Sequence, residues 1–337
     1  IKVVLKHTDF KKDEIQMTAT SPGGSTLFGN KDIDNLKVFN EVIELGGLGN
    51  FSATDLGKML AGKKVSCSTS LGLDSENVNG SSTPSDLKTL FELIYLSFTA
   101  PRMDEEAYAS FENRMKAQLK NLELNPMVAF SDSLTKAIYN NNPRAMRIDP
   151  ADFKNISYPR IMEMYKERFG DASGFVFTFV GNIDTDSIRP LVEQYLATLP
   201  ANGKIEQGNP KEVPAIRKGD YVNRFKRQME TPKASVVNFY SGQMDYNLEN
   251  IVTATMLKQV LDLIYTEKVR EDEGGTYGVQ TSARISSFPE GQTFLQAYFD
   301  TDPDKREKMN TIVRNELKRI SDIGPTPEDF KKTQDNI

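Results

Sequence analysis

The first 200 residues carry two kinds of hydrophobic pattern in a regular order. Short apolar-rich segments bounded by turn residues predict β-strands at 1–6, 14–21, 64–71 and 77–82. Apolar residues that recur every three or four positions predict helices at 32–45, 52–60, 85–98, 104–122, 126–139 and 158–169. Residues 175–180 are apolar except for Thr178 and predict a buried strand, which turns at Gly181 into a helix at 185–196.

The remainder of the chain repeats this order after a polar stretch. Residues 200–214 have no hydrophobic period and contain several glycines and prolines, which is typical of a linker. Strands are predicted at 219–227, 234–240, 276–285 and 292–299, with helices at 247–267, 303–320 and 327–333. The repeat indicates an internal duplication and an α+β fold. We expect two homologous units, 1–200 and 201–337, each a mostly antiparallel sheet with helices packed on one face.

Composition narrows the classes of protein that this chain can be. Its 337 residues are enough for about two domains, and 26% charged with 38% hydrophobic residues suits folded globular domains. A formal net charge of -5 gives no basic surface for nucleic acid. The longest apolar run, around 91–100, is interrupted by Glu92 and Ser97 and is too short for a membrane span. The start within a strand-like segment, without a signal peptide, is typical of a piece of a longer protein.

Two residue types occur only once. Cys67 cannot form an intrachain disulfide, and its strand-like context favours a buried, inert thiol over a nucleophile. His7 ends the first predicted strand, where we expect a surface or edge histidine. Because no Ser/His or Cys/His set is evident, a metal-independent hydrolase is disfavoured.

Three stretches together resemble the pitrilysin, or insulinase-like, family of zinc peptidases. One is the strand, turn and helix from 179 to 200, with Gly181-Asn182-Ile183-Asp184 at the turn. Another is 270–279, in which Arg270 precedes Tyr277-Gly278-Val279. The last comprises Thr8-Asp9-Phe10, Ser21-Pro22-Gly23-Gly24 and Gly47-Leu48-Gly49-Asn50-Phe51-Ser52. Their order along the chain resembles the C-terminal, zinc-free half of a bacterial member, whose last unit we expect to end short here.

Full-length members of that family resemble a clamshell of two halves, and the first half carries zinc on an inverted HxxEH motif. One histidine cannot supply that motif. At the corresponding helix Glu41 and Leu45 replace the two histidines, and Glu44 matches the motif glutamate. The distal glutamate ligand would fall near Ala117-Gln118, with Glu112 and Glu123 as the nearest acids. We therefore expect no metal bound by this segment and interpret Glu41 and Glu44 as a solvated helix face.

The resemblance implies catalytic roles for Arg270 and Tyr277. In the family an arginine and a tyrosine reach from the second half to the zinc-bound substrate, where a tyrosine hydroxyl can donate to an oxyanion and an arginine can hold a carbonyl. The structural alternative gives neither residue a catalytic role. Arg270 would lie near the C-terminus of a helix, where the helix dipole favours a cation, and Tyr277 would begin a strand, where aromatic residues are common.

The leading hypothesis is the C-terminal half of a zinc-dependent metalloendopeptidase. Such a half would contribute substrate binding and transition-state stabilisation to a zinc site held by an N-terminal half. Its partners would be that N-terminal half and peptide substrates. The alternative is a non-catalytic binding or assembly subunit of the same family. Resemblance to exported bacterial members predicts the periplasm or cell envelope.

Overall fold

A computed structural model describes residues 1–271 and 278–336, with the side chains of 1–269 and 278–336. The strands are β1 Lys2–His7, β2 Ile15–Pro22, β3 Val65–Leu71, β4 Ser75–Ser82, β5 Val176–Gly181, β6 Ala234–Gln243, β7 Val279–Ile285 and β8 Gln292–Thr301. The α-helices are α1 Ile33–Lys37, α2 Phe39–Val42, α3 Ala53–Met59, α4 Leu87–Thr99, α5 Glu105–Leu122, α6 Pro126–Tyr139, α7 Tyr158–Phe169, α8 Thr185–Leu191, α9 Leu248–Tyr265, α10 Arg306–Ile323 and α11 Pro327–Gln334. Two sheets with helices confirm the α+β class.

The chain divides into two compact units whose limits differ from the predicted ones. Unit 1 contains Ile1–Asn125 and Asn141–Pro214, and unit 2 contains Pro126–Asn140 and Ala215–Ile337. Helix α6 therefore packs in unit 2 although it lies early in the chain. The interpretation of 1–200 and 201–337 as two family units stays a prediction.

Unit 1 is built on a five-stranded sheet in the order β1-β5-β2-β4-β3. Strand β1 runs parallel to β5, and the other neighbours are antiparallel. In β2 the side chains of Ile15, Met17 and Ala19 are fully buried while the alternate residues are exposed. This period of two places one face of the sheet in the core, where Phe91 of α4 stacks on Phe179 of β5 at 5.2 Å between ring centroids.

Unit 2 has a three-stranded antiparallel sheet in the order β6-β8-β7. Its core contains residues of α9 and α10 against the sheet, including Leu261, Val313 and Phe299. On the opposite face Phe130 of α6 lies 6.0 Å from Tyr298, measured between ring centroids. The path of the chain matches part of unit 1: a strand, a crossing helix and a hairpin, with the first strand pairing to the second strand of the hairpin. The edge strands that correspond in this path are β3 and β7.

The helix predicted at 32–45 is broken, so that prediction was wrong in its continuity. A 3-10 turn at Asn30–Asp32 leads into α1, and Val38 separates α1 from α2. The N–H of Val38 bonds to the carbonyl of Asn35 rather than four residues back. The buried side chain of Asn35 instead accepts the backbone N–H of Ser157 at 2.9 Å. The break therefore lies close to a contact with a residue distant in sequence, which hydrophobic spacing does not reveal.

The strand predicted at 219–227 was also wrong. This stretch forms no ladder. Just before it, Arg217 donates its backbone N–H to the carbonyl of Ile138 in α6 at 2.7 Å. The side-chain amide of Asn223 donates to the Ser133 hydroxyl at 2.7 Å. Residues 200–214, predicted as a linker, contain only a short 3-10 turn, Pro210–Glu212, and belong to unit 1. Among the described residues no helix has both the length and the apolar character needed to cross a bilayer.

Candidate functional site

The short helix around α2 is where the zinc motif would lie, and its side chains serve the fold instead. Glu41 is exposed, and Leu45 packs against the hydrophobic core of unit 1. The carboxylate of Glu44 accepts the backbone N–H of Thr69 in β3, with 3.0 Å between Oε1 and N. Both residues are exposed, as expected of a solvated face, and the Glu44 carboxylate in addition accepts a strand N–H.

Asn40 makes a second bridge to the same strand. Its Oδ1 accepts the N–H of Leu71 at 2.8 Å, and its Nδ2 donates to the Leu71 carbonyl at 3.3 Å. Since β3 ends the sheet order, these backbone groups have no neighbouring strand within the described sheet. Asn40 and Glu44 stand four residues apart and therefore share one helical face, which is the signal that could have identified this edge cap from the sequence.

The surroundings of Glu44 change its acidity. Burial of the carboxylate by neighbouring atoms raises the pKa of Glu44, and the hydrogen bond from the Thr69 N–H opposes that rise in part. In the described part of the chain no basic side chain bonds to this carboxyl or forms an ion pair with it. It is a backbone acceptor and not a metal-bound base in this arrangement.

The expected position of the distal ligand on α5 does not provide one. Ala117, Gln118 and Glu123 are exposed, and Glu112 forms an ion pair with Lys116 at 2.5 Å. Across residues 1–271 and 278–336, no group of three His, Cys, Asp or Glu side chains is placed to hold a metal ion. With a single histidine in the chain, the residues present do not fit a zinc centre.

The two unique side chains lie apart from any catalytic set. Nδ1 of His7 is 2.9 Å from the carbonyl oxygen of Ile183, so the ring is held at the end of β1. Cys67 is half-buried in β3, and burial raises the pKa of its thiol to about 12. A thiol with that pKa is almost entirely protonated at neutral pH, which supports the interpretation of an inert cysteine.

The predicted catalytic pair belongs to the connection between α9 and β7. A wide helical turn, Thr266–Glu271, continues α9, and Arg270 contributes backbone to it. The side chain of Arg270 and the whole of Tyr277 lie outside the described residues. Strand β7 begins two residues after Tyr277, at Val279. The roles of Arg270 and Tyr277 stay predictions.

Both ends of this connection are fixed to the core of unit 2. Oδ1 of Asp262 in α9 accepts the N–H of Thr281 in β7 at 3.1 Å and also accepts its hydroxyl proton. The same hydroxyl lies 3.1 Å from the carbonyl of Lys258, whose ammonium pairs with Asp262 at 2.6 Å. Val269 is fully buried immediately before Arg270. The connection therefore starts and ends on rigid elements, as a site that positions side chains requires.

Comparison with known proteins identifies relatives of the whole chain. The family described as Peptidase M16 inactive domain matches residues 155–337. The probable zinc protease PqqL of Haemophilus influenzae is 20% identical over 323 residues, which cover 95% of this chain and 34% of that protein. The chain spans about a third of the length of the curated relatives that it matches.

Solved structures share the fold. The periplasmic protease PqqL from Escherichia coli superposes with a TM-score of 0.84 at 18% identity, covering 99% of this chain and 37% of that one. The separately solved first half of the same protease gives a TM-score of 0.68 at 14% identity, covering 99% of this chain and 73% of that one. At these identities the likeness establishes the fold alone.

Proposed function

The chain belongs to the peptidase M16 inactive-domain family, and from this premise we propose that it is the C-terminal, zinc-free half of a zinc-dependent metalloendopeptidase. It contributes substrate binding and transition-state stabilisation, while an N-terminal half supplies the metal. The observation that carries the proposal is the family match over residues 155–337 in a chain whose single histidine cannot form a zinc motif.

The structural comparisons support the assignment to the second half. The match to whole PqqL, with a TM-score of 0.84, exceeds the match to its first half alone, with 0.68. This difference supports the proposal that the chain corresponds to a part of that protease outside its first half. The shared pairing β2-β4-β3 and β6-β8-β7 supports the further proposal that the two units are homologous.

Arg270 and Tyr277 are the residues that we propose to act on the substrate. Peptide hydrolysis passes through a tetrahedral oxyanion, and a well-placed hydrogen-bond donor stabilises it by roughly 10²–10³ in rate. The Tyr277 hydroxyl would donate that bond, and the Arg270 guanidinium would hold a substrate carbonyl or orient the tyrosine. The anchored ends of the α9–β7 connection support this role, because Val269 is buried before Arg270 and Thr281 is bonded to Asp262 after the connection.

The test uses the parent protein with both halves. Tyr277→Phe should lower kcat for peptide cleavage by about 10²-fold, because it removes one oxyanion donor. Tyr240→Phe is the matched control, since Tyr240 is an exposed tyrosine of the same unit. An unchanged kcat in Tyr277→Phe would show that the catalytic role is wrong.

A reconstitution experiment separates the enzyme from the alternative. This chain alone should not cleave peptides, and adding the separately expressed N-terminal half should restore cleavage that a zinc chelator removes. A parent protein without an HxxEH motif upstream would instead favour a binding or assembly subunit. We also propose a periplasmic or envelope location, supported by the periplasmic relative PqqL and testable by cell fractionation.

A further inference from the structure

Unit 2 contains an exposed, irregular stretch before its sheet. Residues 215–229 form neither helix nor strand, and every residue from 218 to 228 is exposed. Backbone in a helix or strand must open locally before a peptidase can bind it, whereas exposed irregular backbone is bound directly. Loops of this kind are the preferred places of proteolytic cleavage in folded proteins. The stretch is therefore a part of unit 2 that another enzyme can reach without unfolding it.

The beginning of the stretch is attached to α6. The backbone N–H of Arg217 donates to the carbonyl of Ile138 at 2.7 Å, and its Nε donates to a second carbonyl of the same helix at 2.8 Å. The Arg217 guanidinium also lies 4.0 Å from the centroid of the Tyr221 ring. The side-chain amide of Asn223 donates to the Ser133 hydroxyl at 2.7 Å. The chain is thus held on α6 as far as Asn223.

The end of the stretch is attached to the sheet. The ammonium group of Lys233 pairs with Asp300 of β8 at 2.7 Å, and β6 begins at the next residue. Residues 224–232 lie between the two attachments. Among the described residues this part forms no hydrogen bond, and its one ion pair joins Arg224 to Glu307 at 4.0 Å. It can therefore adopt the extended conformation in which binding proteins hold peptides.

The side chains of this part select one class of peptidase. Arg224, Lys226 and Arg227 lie within four consecutive positions, and Glu230 is the one acid between 224 and 232. In the part of the chain that the structure describes, neither Lys226 nor Arg227 forms a hydrogen bond or an ion pair. Both cations can therefore enter an acidic specificity pocket, such as the aspartate-containing pocket of trypsin.

We propose that this chain is processed after one of these three basic residues by an endopeptidase that prefers lysine and arginine. At the bond between Arg227 and Gln228, for example, water is added across the amide. The carbonyl carbon of Arg227 becomes a carboxylate, and the nitrogen of Gln228 leaves as an amine that takes up a proton. The step requires no oxidant or reductant.

The two products of this cut stay assembled through α6. This helix belongs to the N-terminal product, yet it packs in unit 2, whose sheet belongs to the C-terminal product. The ring of Phe130 in α6 lies 6.0 Å from that of Tyr298 in β8, measured between centroids. Because residues 217–223 also remain on α6, the cut leaves both attachments in place. Processing therefore gives a two-chain form without loss of unit 2.

Limited digestion of the wild-type chain with trypsin tests the site, with the products identified by intact mass. The first cut should follow Arg224, Lys226 or Arg227, and the products should elute together in size-exclusion chromatography until a denaturing concentration of urea separates them. Because the cut needs no opening of the fold, about 1 M urea should change its rate by less than about twofold relative to a small arginine substrate.

Two variants test whether the basic side chains select the site. Simultaneous replacement of Arg224, Lys226 and Arg227 by glutamine should slow cleavage of the stretch by at least about tenfold, because the specificity pocket loses its cation. The matched control replaces Lys11 and Lys12 by glutamine, since these form an exposed basic pair in the turn between β1 and β2. That control should leave the first cut unchanged.

The parent protein isolated from the cells that make it provides the final test. Mass spectrometry should detect a fragment whose N-terminus lies within 225–228. A first tryptic cut of the native chain at any other basic residue, separation of the products without denaturant, or absence of that fragment from the cellular protein would each overturn the proposal. None of these readouts requires peptidase activity of the parent protein, so they are independent of the proposed function.

Discussion

Both units join a crossing helix to an edge strand through an acidic side chain, but the two junctions differ in strength. In unit 1 Glu44 accepts one bond, from the N–H of Thr69 in β3. In unit 2 Asp262 accepts the N–H and the hydroxyl of Thr281 in β7 and also pairs with Lys258. The acid of unit 1 is thus held by one neutral donor, whereas that of unit 2 belongs to a charged network.

This comparison indicates that an acidic residue between a helix and an edge strand can serve the fold alone. The resemblance predicts that Glu44 corresponds to the motif glutamate of the zinc-bearing half, and its partner in the structure is the backbone N–H of Thr69. A strand at the edge of a sheet carries unpaired N–H groups that require an acceptor. Because Asp262 meets the same requirement in unit 2, a carboxylate at this place in the fold has a structural use without any metal.

The largest expected effect is at the unit 2 junction. Asp262→Ala removes the acceptor for two Thr281 donors and leaves Lys258 without its partner. We therefore expect it to lower the free energy of unfolding of unit 2 by about 2 kcal/mol. In the parent enzyme the same change should lower kcat more than it changes KM, because it loosens the ends of the segment that carries Arg270 and Tyr277.

Denaturant unfolding followed by circular dichroism measures the first effect, and peptide cleavage measures the second. Asp322→Ala is the matched control, since Asp322 pairs with Lys318 four residues earlier on an exposed face. Loss of an exposed pair of this kind costs about 0.5 kcal/mol or less. Equal stability losses in the two variants would contradict a special role for the Asp262 network.

Replacing Asn40 should have an intermediate effect on the free energy of unfolding. Asn40→Ala leaves the N–H and the carbonyl of Leu71 without partners at the sheet edge, and we expect a loss of about 1–2 kcal/mol in the free energy of unfolding. Asn40→Asp retains an acceptor for the Leu71 N–H but no donor, so its stability should lie between those of the alanine variant and the wild type. Urea titrations of the three proteins test this order, and a stable alanine variant would show that the edge cap is dispensable.

Replacing Glu44 should have the smallest effect on the free energy of unfolding, and that effect should depend on pH. Because folding raises its pKa, the stabilisation linked to this group is present below the ordinary value of 4.5 and is lost as the pH rises through the folded value. Glu44→Gln keeps an acceptor for Thr69 and removes the titration. It should therefore match the wild type near about pH 4 and exceed it at about pH 7 by less than about 0.5 kcal/mol, since the residue is exposed.

Thermal unfolding at several pH values measures that difference. Glu44→Ala provides the comparison, because it also removes the acceptor and should be less stable than Glu44→Gln at every pH. A wild-type curve that gains stability relative to Glu44→Gln on going from acid to neutral pH would give the wrong sign and reject the assignment of burial as the dominant cause.

Predictability from sequence varied with the range of the interactions involved. Helices such as Pro126–Tyr139 and Tyr158–Phe169 were predicted at their observed limits, because their apolar spacing is local. The break at Val38 was not predictable from spacing, since it accompanies contacts between α1 and α7 and between α2 and β3. The candidate pair Arg270 and Tyr277 came from a family resemblance, while the Asp262 anchor became visible only in the fold.

The sequence by itself determined the α+β class, the impossibility of a histidine-based zinc motif and the membership in a peptidase family, because these depend on residue identity and local period. Only the tertiary structure decided that α6 packs in unit 2, that Glu44 serves β3 and that residues 218–228 lie exposed. Those outcomes depend on groups more than a hundred residues apart, such as Phe130 and Tyr298, or on which strand forms the edge of a sheet. Hydrophobic periodicity specifies which face of an element is buried, but not which distant partner covers it.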